Sequence, residues 1–215
     1  TLSADTVQTR DVLGFVVYRL RSPIAKRLAL LLPGLVLFGT ALALTVEAGL
    51  GTNPWTVFHQ GAAQRLGLSI GTVVTLTGLI LILLFRRLRA PRGLGTVANP
   101  VFVGLSVDGA LFAIPDLDAM WLRIAALAAS PALLGLASGL YIGAGLGPGP
   151  RDGLMTALER RGMSISSART LIEVTALAVG WVLGGQVGIS TVYFGVTVGW
   201  FVRGFIDRFR LDPTP

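Results

Sequence analysis

The sequence predicts an all-α polytopic membrane protein, with six transmembrane helices arranged as two inverted-topology repeats of three helices each. Three observations predict this fold: the composition, the alternation of basic and uncharged loops, and an internal repeat. Of the 215 residues, 53% are hydrophobic and only 13% are charged, and the mean hydropathy is +0.73. Soluble domains carry about 25% charged residues. This chain has too few polar side chains to cover a water-exposed surface, which argues against a soluble enzyme.

The residue inventory also limits the chemistry. The chain contains no cysteine, which excludes disulfides, thiolate metal sites and cysteine nucleophiles. No predicted span contains histidine, and no carboxylate cluster or phosphate-binding loop has the required spacing. We therefore expect no enzymatic activity, no metal site and no cofactor. The net charge of +7 (18 basic and 11 acidic residues) is spread between apolar runs, which favours membrane topology over nucleic-acid binding.

The apolar runs are continuous rather than alternating, which is typical of membrane-spanning helices. The six predicted spans cover residues 28–48, 70–86, 96–114, 122–144, 165–184 and 188–206. The resulting organisation is a cytoplasmic basic segment, a first repeat, an external loop, a second repeat and a cytoplasmic tail: 1–27, 28–114, 115–121, 122–206 and 207–215. Within the basic segment, Val12 to Leu20 has the pattern of a short amphipathic helix on the membrane surface.

The loops between the spans alternate in charge. Basic residues concentrate before the first span, in 86–95, in 148–163 and after the last span, whereas the other connections carry almost none. Positive charge is retained on the cytoplasmic side of a membrane. The alternation therefore predicts six spans with both termini cytoplasmic.

The second half of the chain repeats the first. Ala48–Gly51 matches Ala144–Gly147 at an offset of 96, and after the loss of one residue Gly104 matches Gly199 at an offset of 95. The register holds across about 75 residues, which is too long for a chance match between apolar helices. Each repeat has three spans, so the second must enter the membrane from the opposite side. Inverted repeats are typical of secondary transporters, although duplication also produces channels and passive scaffolds.

Both repeats are interrupted by glycine and proline at the same place, in 49–55 and 145–153. A helix that begins after such a break exposes unpaired N–H groups and a partial positive charge, which can hold an anion. We assign Asn53, Trp55, Arg151 and Asp152 as candidate substrate-binding residues. The alternative is a plain turn into an interfacial helix. The short stretches 54–66 and 150–161 are either re-entrant or interfacial.

Several charged residues fall within the spans, where an ionisable group normally faces protein or water. The candidate buried or coupling charges are Glu47, Asp108, Arg169, Glu173 and Arg203. Glu173 is a candidate proton or cation site. The alternative is a structural ion pair with Arg169, one helical turn earlier. His59 is interpreted as a surface residue, and the four tryptophans as interfacial anchors.

The two breaks resemble the YczE/YitT-like family of small bacterial integral membrane proteins. The resemblance rests on GLGTNPWTVFHQG at 49–61, AGLGPGPRDGLM at 144–155 and RTLIE at 169–173, and extends over residues 30–208. It implies a bacterial inner-membrane protein and supplies no substrate. Family members often carry an acidic residue after the Pro-Trp pair, where this chain has Thr56.

These observations lead to two functional hypotheses. The first is a permease-like protein that binds or moves a small solute, with anions as one candidate class, between its two repeats. The second is a non-transporting membrane scaffold or regulator of a partner protein. The lipid bilayer is an expected partner in both hypotheses, and a homo-oligomer or a protein partner stays open.

Overall fold

A computed structural model describes residues 8–10, 16–18, 24–88, 93–209 and 211. The helices of this described part are α1 (Ile24–Ala48), α2 (Pro54–Leu66), α3 (Ile70–Leu88), α4 (Leu94–Ala113), α5 (Met120–Gly143), α6 (Pro150–Glu159), α7 (Ile165–Val182) and α8 (Ile189–Phe209). Five of them, α1, α4, α5, α7 and α8, are long and apolar enough to cross a membrane. The pair α2 and α3, bent by 110° at a short break, passes the same test together. The predicted helical membrane fold is confirmed.

The basic N-terminal segment differs from the prediction. β1 (Gln8–Arg10) and β2 (Val16–Tyr18) pair as a short antiparallel ladder, so residues 16–18 are not part of an amphipathic helix. The β-branched pair Val16-Val17 and the following Tyr18 favour an extended backbone. The remainder of the expected helix at 12–20 lies outside the described residues. Helix α1 also begins at Ile24, four residues before the predicted span.

Helices α1 and α5 form the centre of the molecule and run antiparallel. Arg27, near the start of α1, donates through Nη1 to the carbonyl of Ala144 at the end of α5, at 2.7 Å. Arg123, near the start of α5, donates through Nε to the carbonyl of Ala48 at the end of α1, at 2.6 Å. Both contacts follow the offset of 96 found in the sequence. Each arginine satisfies a carbonyl that a helix terminus leaves unpaired.

The loops that follow α1 and α5 exchange contacts in the same way. The amide of Ser190, at the start of α8, donates to Leu50, and the amide of Gly95, at the start of α4, donates to Leu146. Gly51 and Gly147 adopt positive φ angles of 93° and 112° at these crossings. A side chain at either position would meet the backbone of the opposite repeat. These glycines therefore allow each loop to pass close to the other repeat.

The two repeats differ in how their last two helices pack. Gly104 of α4 lies against the backbone of Gly71, and Thr75 of α3 donates to the carbonyl of Pro100 at 3.0 Å. The equivalent helices α7 and α8 do not pack in this way. Apart from the backbone of α8 itself, no atom of the described residues lies within 4 Å of where a Cβ would lie on Gly195 or Gly199 of α8. The result is an open cleft between α7 and α8 where α3 and α4 are closed.

Candidate functional site

The two helix breaks meet inside the bundle. The first residues of α2 and of α6 line one small cavity of about 90 Å³, which we call the inner cavity. Its walls come from α1, α3, α4 and α5, through side chains that include Phe38, Leu42, Val74, Thr77, Asn99 and Tyr141. Such a volume holds a few water molecules or one small ion. All four candidate substrate-binding residues, Asn53, Trp55, Arg151 and Asp152, line it.

The start of α2 is held by its own cap. Asn53 Oδ1 accepts from the amide of Thr56 at 3.1 Å, and Asn53 Nδ2 donates to the Thr56 hydroxyl at 2.9 Å. Pro54 occupies the first helical position, where its missing N–H costs nothing. Asn53 is 8% exposed. This residue therefore fixes the direction in which α2 leaves the inner cavity.

The start of α6 is left open. Its cap is Gly149, which has no side chain to accept from the first-turn amides. Asp152 accepts a hydrogen bond from the buried Tyr141 hydroxyl at 2.7 Å. Arg151 lies 3.6 Å from Glu173 of α7 and 3.7 Å from Asp152. This helix end therefore combines free amide donors with one guanidinium group beside the inner cavity.

Two polar side chains of the inner cavity have no partner in the described part of the chain. His59 is 7% exposed, and its Nδ1 makes no hydrogen bond. The Nε1 of Trp55 is likewise buried without an acceptor. A buried polar atom without a partner costs free energy, so each points to a missing ligand or water. The interpretations of His59 as a surface residue and of Trp55 as an interfacial anchor are wrong.

A second, larger space is the α7–α8 cleft, of about 820 Å³. It adjoins the inner cavity, because Asn53, Tyr141, Arg151 and Asp152 line both spaces. Three of the five candidate buried charges, Arg169, Glu173 and Arg203, lie on its walls. The expected Arg169–Glu173 ion pair does not occur among the described residues, because Glu173 pairs with Arg151.

The other two candidate charges lie outside both spaces. Asp108 accepts from the Ser69 hydroxyl at 2.6 Å and from the amide of Gly71 at 2.7 Å, so it caps the start of α3. Glu47 is half-buried in the last turn of α1. Asp108 and Arg203 hold equivalent repeat positions but do not meet. In the described ranges, no group of three His, Asp or Glu side chains could hold a metal ion.

Comparison with known proteins identifies the family. The model of the "Family of unknown function (DUF6198)" matches residues 25–207. An uncharacterized protein of Haemophilus influenzae is 33% identical over 183 residues, which cover 85% of this chain and 84% of the relative. The uncharacterized membrane protein YczE of Bacillus subtilis is 33% identical over 174 residues, covering 79% and 80%.

A more distant relative is the Bacillus subtilis protein YyaS, which is 25% identical over 167 residues, covering 74% of this chain and 82% of the relative. No solved structure gives a significant match. The similarity to YczE confirms the resemblance to this family and the assignment as a membrane protein. With a family match from residue 25 to residue 207, the chain belongs to the DUF6198 family.

Proposed function

We propose that this protein binds a small anion in the inner cavity and moves it across the bacterial inner membrane, in which both termini are cytoplasmic. The observation that carries the proposal is the convergence of two helix starts on one cavity that also contains unpartnered polar side chains. The proposal includes no catalytic step and no cofactor.

Several groups around the inner cavity are hydrogen-bond donors, beside the Asp152 carboxylate and the side-chain amides of Asn53 and Asn99. The open amides at the start of α6, the Nε1 of Trp55 and the Arg151 guanidinium all present N–H groups. The dipoles of α2 and α6 add partial positive charge from two sides. Asp152 accepts a hydrogen bond from Tyr141 and lies beside Arg151, so the positive charge of Arg151 partly balances its negative charge. An anion can use the free donors, whereas a cation would meet them unfavourably.

The position of the inner cavity favours movement rather than static binding. It lies between the central helices α1 and α5, and each half of the chain supplies one helix start. Binding sites between inverted repeats, at discontinuous helices, are typical of secondary transporters. Relative movement of the two repeats would expose such a site to one side of the membrane and then to the other.

The test is a thermal-unfolding screen of the purified protein in nanodiscs with nitrate, formate, sulfate and inorganic phosphate. A bound anion at 100 times its Kd should stabilise the protein by about 2.7 kcal/mol. Trp55→Phe keeps the aromatic contact with Phe58 but removes the N–H donor. This variant should bind about tenfold more weakly, because one hydrogen bond to a charged group is lost.

The matched control is Arg161→Gln, which removes an arginine that lies at the other end of α6 and lines neither space. It should bind as the unmodified protein does. Uptake of the stabilising anion into proteoliposomes then tests movement. If no anion stabilises the protein and a partner protein copurifies with it, the scaffold hypothesis replaces the permease. If Trp55→Phe binds the anion as tightly as the unmodified protein does, the inner cavity is not the binding site.

A further inference from the structure

We infer that the α7–α8 cleft is a binding site for an anionic amphiphile, whose head group lies between Arg169 and Arg203 and whose apolar chain lies along the cleft. This site adjoins the inner cavity, but Arg169 and Arg203 line only the cleft, and the inference does not depend on the proposed movement of a small anion. Three observations carry the inference: the asymmetry of the repeats, the charges in the cleft and its apolar walls.

The cleft exists in only one of two equivalent places. In the first repeat, Gly104 packs on Gly71 and closes α4 against α3. In the second repeat, the equivalent residue Gly199 faces open space. A helix face of small residues normally allows a neighbouring helix to approach closely. The open glycine face of α8 therefore leaves room for a molecule other than a helix of the same chain.

The charges of the cleft leave two arginines available. The cleft is lined by five charged residues, of which three are arginines and two are carboxylates. Glu173 pairs with Arg151, and Asp152 is bonded to Tyr141 and lies beside Arg151. Arg169 and Arg203 have no hydrogen bond or ion pair within the described ranges. An unpaired arginine within a span is costly, and an anionic head group would supply the missing partner.

The depth of the two arginines suits a head group. Arg169 lies four residues after the start of α7, and Arg203 lies six residues before the end of α8. At 1.5 Å per residue, they are about 6 Å and 9 Å from the helix ends. Both ends belong to the segments that the positive-inside rule assigns to the cytoplasmic side. The pair therefore lies near a membrane surface, where lipid head groups are found.

The rest of the cleft suits an apolar chain. Val174 of α7 and Val196 and Trp200 of α8 line it, and they are 58%, 67% and 82% exposed. Pockets of 300–1,000 Å³ hold ligands of moderate size, and the cleft measures about 820 Å³. A small hydrophilic anion would leave these walls uncovered. An amphiphile covers them and reaches both arginines.

The test uses the whole protein in nanodiscs of phosphatidylcholine, titrated with dodecyl phosphate. We expect dodecyl phosphate to raise the thermal unfolding midpoint. Inorganic phosphate has the charge without the chain, and dodecylphosphocholine has the chain without the net charge, so neither should give a shift that depends on Arg169 and Arg203. The double variant Arg169→Gln/Arg203→Gln should bind dodecyl phosphate at least about tenfold more weakly. Arg208→Gln, in the last turn of the same helix α8, should bind normally.

A second pair of variants tests the cleft itself. Gly199→Leu places a side chain in the open cleft and should block binding, whereas Gly204→Leu adds the same side chain in open space outside it. Equal binding of dodecylphosphocholine, binding of inorganic phosphate that is lost in the arginine double variant, or unchanged binding of dodecyl phosphate by that variant would overturn the inference. A dimer in the nanodisc that closes the cleft would also overturn it. Small-anion binding by the double variant tests the inner cavity separately.

Discussion

At the scale of single residues, the sequence identified residues that line the inner cavity but not their buried partners. Asn53 and Arg151 were predictable because proline and glycine fix helix starts wherever they occur. His59 and Tyr141 were not, because their importance depends on which helices surround them. His59 is one of several polar residues on the short helix α2, a pattern typical of both an interfacial and a buried position. Only the packing of α2 against α7 and the inner cavity distinguishes the two.

The Tyr141–Asp152 hydrogen bond provides a test at this scale. Tyr141→Phe removes the hydroxyl that donates to Asp152 at 2.7 Å and keeps the ring contact with Phe38. We expect a loss of about 1–2 kcal/mol in the free energy of unfolding, because the carboxylate loses a buried donor. Chemical denaturation in mixed micelles measures this loss. Tyr193→Phe, whose hydroxyl makes only a 3.5 Å exposed contact, should change stability by less than about 0.5 kcal/mol. Equal losses in the two variants would contradict the assigned role.

At the scale of helices, long apolar runs and Gly/Pro breaks predicted where most helices begin and end. Helix α2 begins at Pro54 and α6 at Pro150, as the breaks indicate. The strand at Val16–Tyr18 was missed because it forms through pairing with Gln8–Arg10, which no local pattern reveals. The role of Asp108 was missed for a similar reason. Its partners Ser69 and Gly71 are far away in sequence, so a helix cap could not be distinguished from a buried functional charge.

The different packing of equivalent helices gives a matched pair of substitutions. Gly104→Ala places a Cβ against the backbone of Gly71 and the Thr75 hydroxyl, and backbone atoms cannot move aside cheaply. We expect it to destabilise the protein by about 1–3 kcal/mol, as overpacking usually does. Gly199→Ala, at the equivalent position in the second repeat, meets open space and should cause no loss. Thermal unfolding of both variants checks the difference. A destabilised Gly199→Ala would mean that α7 and α8 are closed in the membrane.

At the scale of the whole molecule, the repeat predicted which residues are equivalent but not how the two halves differ. The exchanged bonds of Arg27 and Arg123 join equivalent repeat positions, but the offset alone does not predict that these residues bond. The α7–α8 cleft could not be predicted from the repeat. Gly104 and Gly199 are both glycine at equivalent positions, but Gly104 packs against α3 and Gly199 faces open space.

The orientation of the repeats in the membrane stays a prediction, and cysteine labelling tests it. The chain has no native cysteine, so single cysteines can be added directly. Asn53 and Gly149 line the inner cavity, so the far ends of α2 and α6 are better positions. Leu66→Cys should react with an impermeant maleimide in intact cells, and Glu159→Cys only after the membrane is permeabilised. Reaction of both from the same side would disprove the inverted arrangement.

The exchanged arginine bonds also have a consequence for synthesis of the chain. The bond to Ala48 cannot form until Arg123 has been made, 75 residues later, and Arg27 must wait 117 residues for Ala144. The first half therefore emerges from the ribosome before the carbonyl of Ala48 can bond to Arg123. At that stage Arg27, which is buried in the complete protein, has not yet met Ala144. Neither half can reach its final state alone in the bilayer.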